Sequence, residues 1–113
     1  MRESHTAVIE RNVTWRGTFA TEPYEVAWAG EAIFFVRVLA KENLPAILAA
    51  HVEISPDGMH WCHEGEILYL PTEEYEGDLA FCRVTHFGGW LRLTGEAPAG
   101  ASVTVIVYLV LKE

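Results

Sequence analysis

The chain has 113 residues, half of them hydrophobic, and 16 acidic against 8 basic residues give a formal charge of −8. That length suits one domain, residues 1-113, which can bury a core without disulfide or metal staples. The charge argues against nucleic acid and anionic membranes as partners, because Arg2, Arg11, Arg16, Arg37, Lys41, Arg83, Arg92 and Lys112 are dispersed and form no basic patch.

The opening "MRESHTAVIERN" lacks the apolar stretch of a signal peptide. No apolar run reaches the roughly 18 residues of a membrane span, so a cytoplasmic protein is expected. "TAVIERNVTWRGTFA" and "YEVAWA" each read as one or two strands, broken at Glu22-Pro23. "AIFFVRVLA", residues 32–40, alternates Phe34, Val36 and Val38 with Phe35, Arg37 and Leu39. Both of its faces are largely apolar, which marks a strand that is central or covered on both sides. "AILAAHVEI", residues 46–54, turns Leu48, Ala50, Val52 and Ile54 inward and Ala49, His51 and Glu53 outward. Its Ala and Leu content leaves a short helix as the alternative there.

Ser55-Pro56-Asp57-Gly58 is turn chemistry at each place: a side-chain acceptor, a preset φ, then Asp and Gly. Trp61 follows and is placed to pack across the hairpin onto the sheet. "EGEILYLP" then offers Leu68 and Leu70 on one face. "DLAFCRVTHF", residues 78–87, alternates Leu79, Phe81, Arg83 and Thr85 with Ala80, Cys82, Val84 and His86. Gly88 and Gly89 permit positive φ and suggest a reversal or bulge. "WLRLTG" buries Leu91 and Leu93, and "SVTVIVYLVLK" closes the chain with Val103, Val105, Val107, Leu109 and Leu111 on an unbroken apolar face. The sum is an all-β chain of about seven to eight short strands, the pattern of an antiparallel β-sandwich or jelly-roll-like fold.

The order of an apolar strand, Ser-Pro-Asp-Gly-x-x-Trp, the "WLRL" strand at Trp90 to Leu93 and a valine-rich final strand resembles small β-sandwich virion proteins of bacteriophages and prophages. The likeness spans residues 46-112. It implies a structural, phage- or prophage-derived protein, virion-associated in that case, and it brings no catalytic residues.

Four further chemistries have candidate residues. His60 and Cys62, with Cys82 and His86, could form a Cys₂His₂ zinc site if their strands were neighbours, but the spacing matches no finger or ribbon. Two free thiols are the expected state of Cys62 and Cys82, with a disulfide or a Cys82–His86 dyad as alternatives. Glu64, Glu66, Glu73, Glu74, Glu76 and Asp78 read first as a solvated acidic loop, and otherwise as carboxylates for calcium or glycoside chemistry. Trp15, Trp28, Trp61 and Trp90 with Tyr24, Tyr69 and Tyr75 could make a sugar-stacking platform, although core and interface packing is the commoner use. No cofactor is expected.

The second apolar faces need covering. Phe35 and Leu39 on one strand and Ile106, Tyr108 and Val110 on another predict a homo-oligomer, with a trimer as the expected number. The first functional expectation is therefore a non-enzymatic, self-associating structural protein. A carbohydrate-binding module and a small metal-binding protein are the alternatives.

Overall fold

The computed structural model describes residues 3–113. It forms two antiparallel sheets and no α-helix among those residues. The first sheet has the order β1 (Ser4–Trp15), β9 (Ser102–Lys112), β4 (Glu31–Glu42), β7 (Leu79–Thr85). The second has the order β2 (Thr18–Ala20), β8 (Trp90–Glu96), β5 (Ala49–Ser55), β6 (Cys62–Tyr69), and β3 (Tyr24–Glu25) also pairs with β8. No helix among the described residues is long and apolar enough to cross a membrane.

The alternation read from the sequence sets which side chains face inward. Ala32, Phe34 and Val36 of β4 and the odd-numbered residues Val103 to Leu111 of β9 are buried. From the other sheet come Ala50, Val52, Leu68, Leu91 and Leu93, and one contiguous cluster joins both sets. Within residues 46–54 the chain takes a strand from Ala49 onward and no helix: Leu48, Ala50 and Val52 are buried at period two, and β5 pairs on both edges. Strand β4 is central, paired on both edges by β9 and β7, while only its inner face is covered by the other sheet.

Nine strands stand in place of the expected seven or eight, and three of them come from the N-terminal part, two before the break at Glu22-Pro23 and one after it, as its segments allow. Strands β2 and β3 are two pieces of one interrupted edge, pairing with Thr94–Glu96 and with Trp90–Leu91 respectively. Thr21 spans the gap: its N–H donates to the Leu93 carbonyl at 2.9 Å and its Oγ1 accepts the Leu93 N–H at 3.0 Å. The Glu22 N–H donates to Glu10 Oε1 at 2.8 Å, so Pro23 breaks the edge where β1 supplies the missing partner. The reversal after β7 also differs. Positive φ falls on His86, at 57°, and not on Gly88 or Gly89.

Gly95 of β8 is required by close approach. A Cβ there would collide with the Phe19 ring and come within 2.9 Å of the Ala49 carbonyl oxygen. Phe19 is itself stacked on Trp15, with centroids 4.2 Å apart and planes 9° from parallel. Gly95→Ala should therefore push Phe19 off Trp15 and cost about 1–3 kcal/mol, the usual toll of overpacking. Urea unfolding measures it, and an unchanged midpoint would show that β2 moves away from β8 freely.

Candidate functional site

The Ser55–Trp61 segment is a hairpin loop held by its own polar atoms. Ser55 is buried; its Oγ accepts the N–H groups of Gly58 at 2.8 Å and Asp57 at 3.2 Å and lies 3.0 Å from Asp57 Oδ1. Asp57 Oδ1 accepts the N–H groups of Met59 and His60, and Oδ2 sits 2.7 Å from His60 Nδ1. The His60 N–H, the His60 ring and the Met59 N–H hold the Asp57 carboxyl well below the usual aspartate range. Stability from this carboxylate is complete above that range and is lost only as pH falls below it. Serine, aspartate and histidine stand together here, but Ser55 is bonded to Asp57 and to backbone rather than to His60, so the geometry is that of a turn. The Trp90 indole, and not Trp61, lies against Gly58.

The four metal candidates do not assemble. His60 is in the loop, Cys62 is exposed at the start of β6, Cys82 is buried in β7 of the other sheet, and His86 is exposed beyond the end of β7. Among the described residues no group of three or more His, Cys, Asp or Glu is placed to hold a metal ion. Both cysteines are free thiols. Burial, and then the charges of Glu66 and Glu64, push the Cys82 thiol up to about 12. Ellman's reagent should accordingly modify Cys62 in the folded protein and Cys82 only after denaturation. Two fast equivalents would show that the β6–β7 edge opens.

A polar row absent from the sequence reading crosses the outer face of the second sheet. Register pairs Glu53 of β5 with Arg92 of β8 on one side and with His63 of β6 on the other. Arg92 Nε and Nη2 donate to Glu53 Oε1 at 2.8 and 2.7 Å, and His63 Nε2 lies 3.2 Å from Oε2. The Glu53 side chain is only 12% exposed. Trp61 covers Arg92, with the guanidinium 4.2 Å from the ring centroid, and His51 stacks on His63 at 5.2 Å. The β6 register breaks between the partners of His51 and Glu53, where Gly65 takes φ 113°. That bulge is what brings His63 beside Glu53. The row borders a shallow cleft of about 460 Å³ whose other walls include Thr18, Thr94 and Glu96. Among the described residues no hydrogen bond joins His63 to a hydroxyl or thiol that could serve as a nucleophile.

The outer face of the first sheet is apolar. Register sets Val8, Tyr108, Phe35 and Phe81 side by side across all four strands. Val110 and Ile33 lie in the row on one side, and Ile106, Arg37 and Leu79 in the row on the other. Phe35, Ile106, Tyr108 and Val110 thus share one surface, as their alternation predicts, and Phe81 at 52% and Leu79 at 51% exposure extend it. Leu39 is the exception: it occupies the bulge between Val38 and Ala40 and has no register partner on β9.

The aromatic residues do not form one platform. Trp15 is buried, Trp61 is under Arg92, and Trp90 is on Gly58. Trp28 and Tyr24 share a separate cleft, while Tyr69 and Tyr75 are exposed elsewhere. The acidic loop is partly structural: Glu76 Oε1 accepts the N–H groups of Glu73 and Thr72 around the 3₁₀ turn Glu74–Glu76, and Asp78 pairs with Arg37 at 3.2 Å. No family model matches this chain, and no curated protein matches it in sequence.

Proposed function

We propose that this chain is a non-enzymatic structural protein that self-associates through the outer face of the β1–β9–β4–β7 sheet. The observation that carries the reading is the cross-strand row Val8–Tyr108–Phe35–Phe81 with its apolar neighbours Ile33, Val110, Ile106 and Leu79. Thr14 and Thr104 border it at one end and Glu31 and Lys112 at the other, giving an apolar centre with a polar rim.

A second copy of the chain fits this surface in size and charge. Strands of 12, 11, 12 and 7 residues at their usual rise and spacing make a face of about 670 Å², somewhat below the ~800 Å² per partner of a standard interface. Within the three central rows the charged residues are Arg37, Arg83 and, in the β1 bulge opposite Ile106, Arg11. Asp78 pairs with Arg37 and Arg83 lies over the Phe81 ring at 5.1 Å, both toward the β7 edge, where their charged ends can stay in solvent while the central aromatic row is covered. A single flat patch pairs with itself about a two-fold axis, which favours a dimer over the trimer expected from the sequence. The strand orders 1-9-4-7 and 2-8-5-6 are in keeping with a jelly roll, and the resemblance of residues 46-112 to virion sandwiches supports a prophage-type structural role.

Light scattering after size exclusion, run over a concentration series, tests the assembly. The expected result is a dimer whose dissociation constant rises about 30-fold in Phe81→Glu, the scale of losing one interface anchor. Phe81 is half exposed, so its replacement leaves the core intact. A monomer at every concentration overturns the proposal.

A further inference from the structure

A second surface differs in chemistry from the apolar sheet face. At one edge of the sandwich the start of β1 meets β3 and the turn after it, and together they border a shallow, open cleft of about 780 Å³. This lies within the ~300–1,000 Å³ typical of small-molecule sites. Its walls include Tyr24, Trp28, Pro23, His5, Glu3 and Glu25, and no lysine or arginine among the described residues lines it. We propose that this cleft binds an organic cation of the quaternary or alkylated ammonium type.

Three features of the lining favour that chemistry. The first is an open indole. The other three tryptophans are covered by the core, by Arg92 or by Gly58, whereas Trp28 keeps 42% of its surface exposed at the cleft. The second is a fixed second ring. Tyr24 sits on β3, registered against Leu91, and its hydroxyl is 3.3 Å from His5 Nε2, which ties the edges of the two sheets together. The ring is therefore positioned before any ligand arrives, which lowers the ordering cost of binding. The third is charge. Glu25 Oε1 accepts the Ala27 N–H at 3.3 Å inside the turn that presents Trp28, and Glu3 stands on the β1 side. Aromatic faces attract a cation through their quadrupole, most strongly for tryptophan, and nearby carboxylates add Coulomb attraction. A neutral saccharide would gain the stacking but not the charge term. An anion would be repelled.

Calorimetric titration of the full chain with choline, at constant ionic strength, is the test. Its partners are the neutral isostere 3,3-dimethylbutan-1-ol, a methyl glucoside, and Nα-acetyl-trimethyllysine amide. Choline should bind and Trp28→Ala should weaken it by about 5-fold or more, with Trp28→Phe recovering part of the loss, as expected for a cation held on a ring face. Glu25→Gln should weaken choline and leave the neutral isostere unchanged. Tighter binding of the trimethyllysine amide than of choline would assign the cation to a modified side chain, and the reverse order to a free small molecule. Choline no tighter than its isostere, a glucoside tighter than both, or Trp28→Ala without effect would each overturn the proposal. Trp28 is surface-exposed, so an unchanged thermal melt of the variants shows that lost binding is not lost folding.

Discussion

Phe34→Ala should remove about 3–5 kcal/mol of folding stability, the loss measured when a large buried aromatic is truncated. Phe34 has no exposed surface and lies between Leu109 of β9 and Cys82 of β7 on the inner face. Both neighbours are themselves buried in paired strands, so the backbone cannot close the space. Against a total of about 5–15 kcal/mol for a domain, such a loss brings the protein near its unfolding threshold. The expected readout is a urea midpoint far below wild type at unchanged slope. The residue next in sequence is the control. Phe35 points out of the same strand, so Phe35→Ala should cost less than about 1.5 kcal/mol in the monomer and act mainly on self-association. Equal losses at the two positions would contradict the inward–outward assignment of β4.

Glu53→Leu is the second large effect. It leaves Arg92 without its carboxylate while Trp61 still covers the guanidinium. Breaking a buried pair from one side costs about 3–5 kcal/mol, and the quarter exposure of Arg92 lowers that to about 2–3 kcal/mol here. Arg92→Leu in the same background should restore part of the loss, because two apolar side chains then face each other across β5 and β8. A double-mutant cycle on the urea midpoints measures the coupling, expected at about 1–3 kcal/mol. His63→Ala should change stability by less than about 1 kcal/mol, since that imidazole is mostly in solvent. Additive effects of Glu53→Leu and Arg92→Leu would show that the row is not a coupled unit.

Much of this fold is legible along the chain because a strand's faces depend on its own residues. The alternation in 32–40 and 102–112 is enough to name Phe34, Val36, Val105 and Val107 as core and Phe35 and Tyr108 as the opposite surface. The Ser55–Gly58 turn is equally local, since every bond that holds it runs between residues no more than three apart. The misreadings share a cause. The ninth strand and the positive φ of His86 depend on breaks that a period-two pattern does not record, whereas Leu39 stays exposed, as its alternation predicts, even inside a bulge.

The all-β class, the inner and outer faces of the long strands and the hairpin loop follow from the chain's local order, because side-chain periodicity and turn chemistry act over a few residues. Tertiary structure alone decided which faces meet. Glu53 and Arg92 are 39 residues apart, and His63 reaches Glu53 only through the bulge at Gly65. Cys62 and Cys82, close in pattern, are parted onto different sheets, one in solvent and one in the core. The Tyr24–Trp28 cleft joins β3 to the first residues of β1, and the Val8–Phe81 row draws on four strands from both ends of the chain. Strand register and sheet order set those neighbours, and both follow from burying all the apolar faces at once.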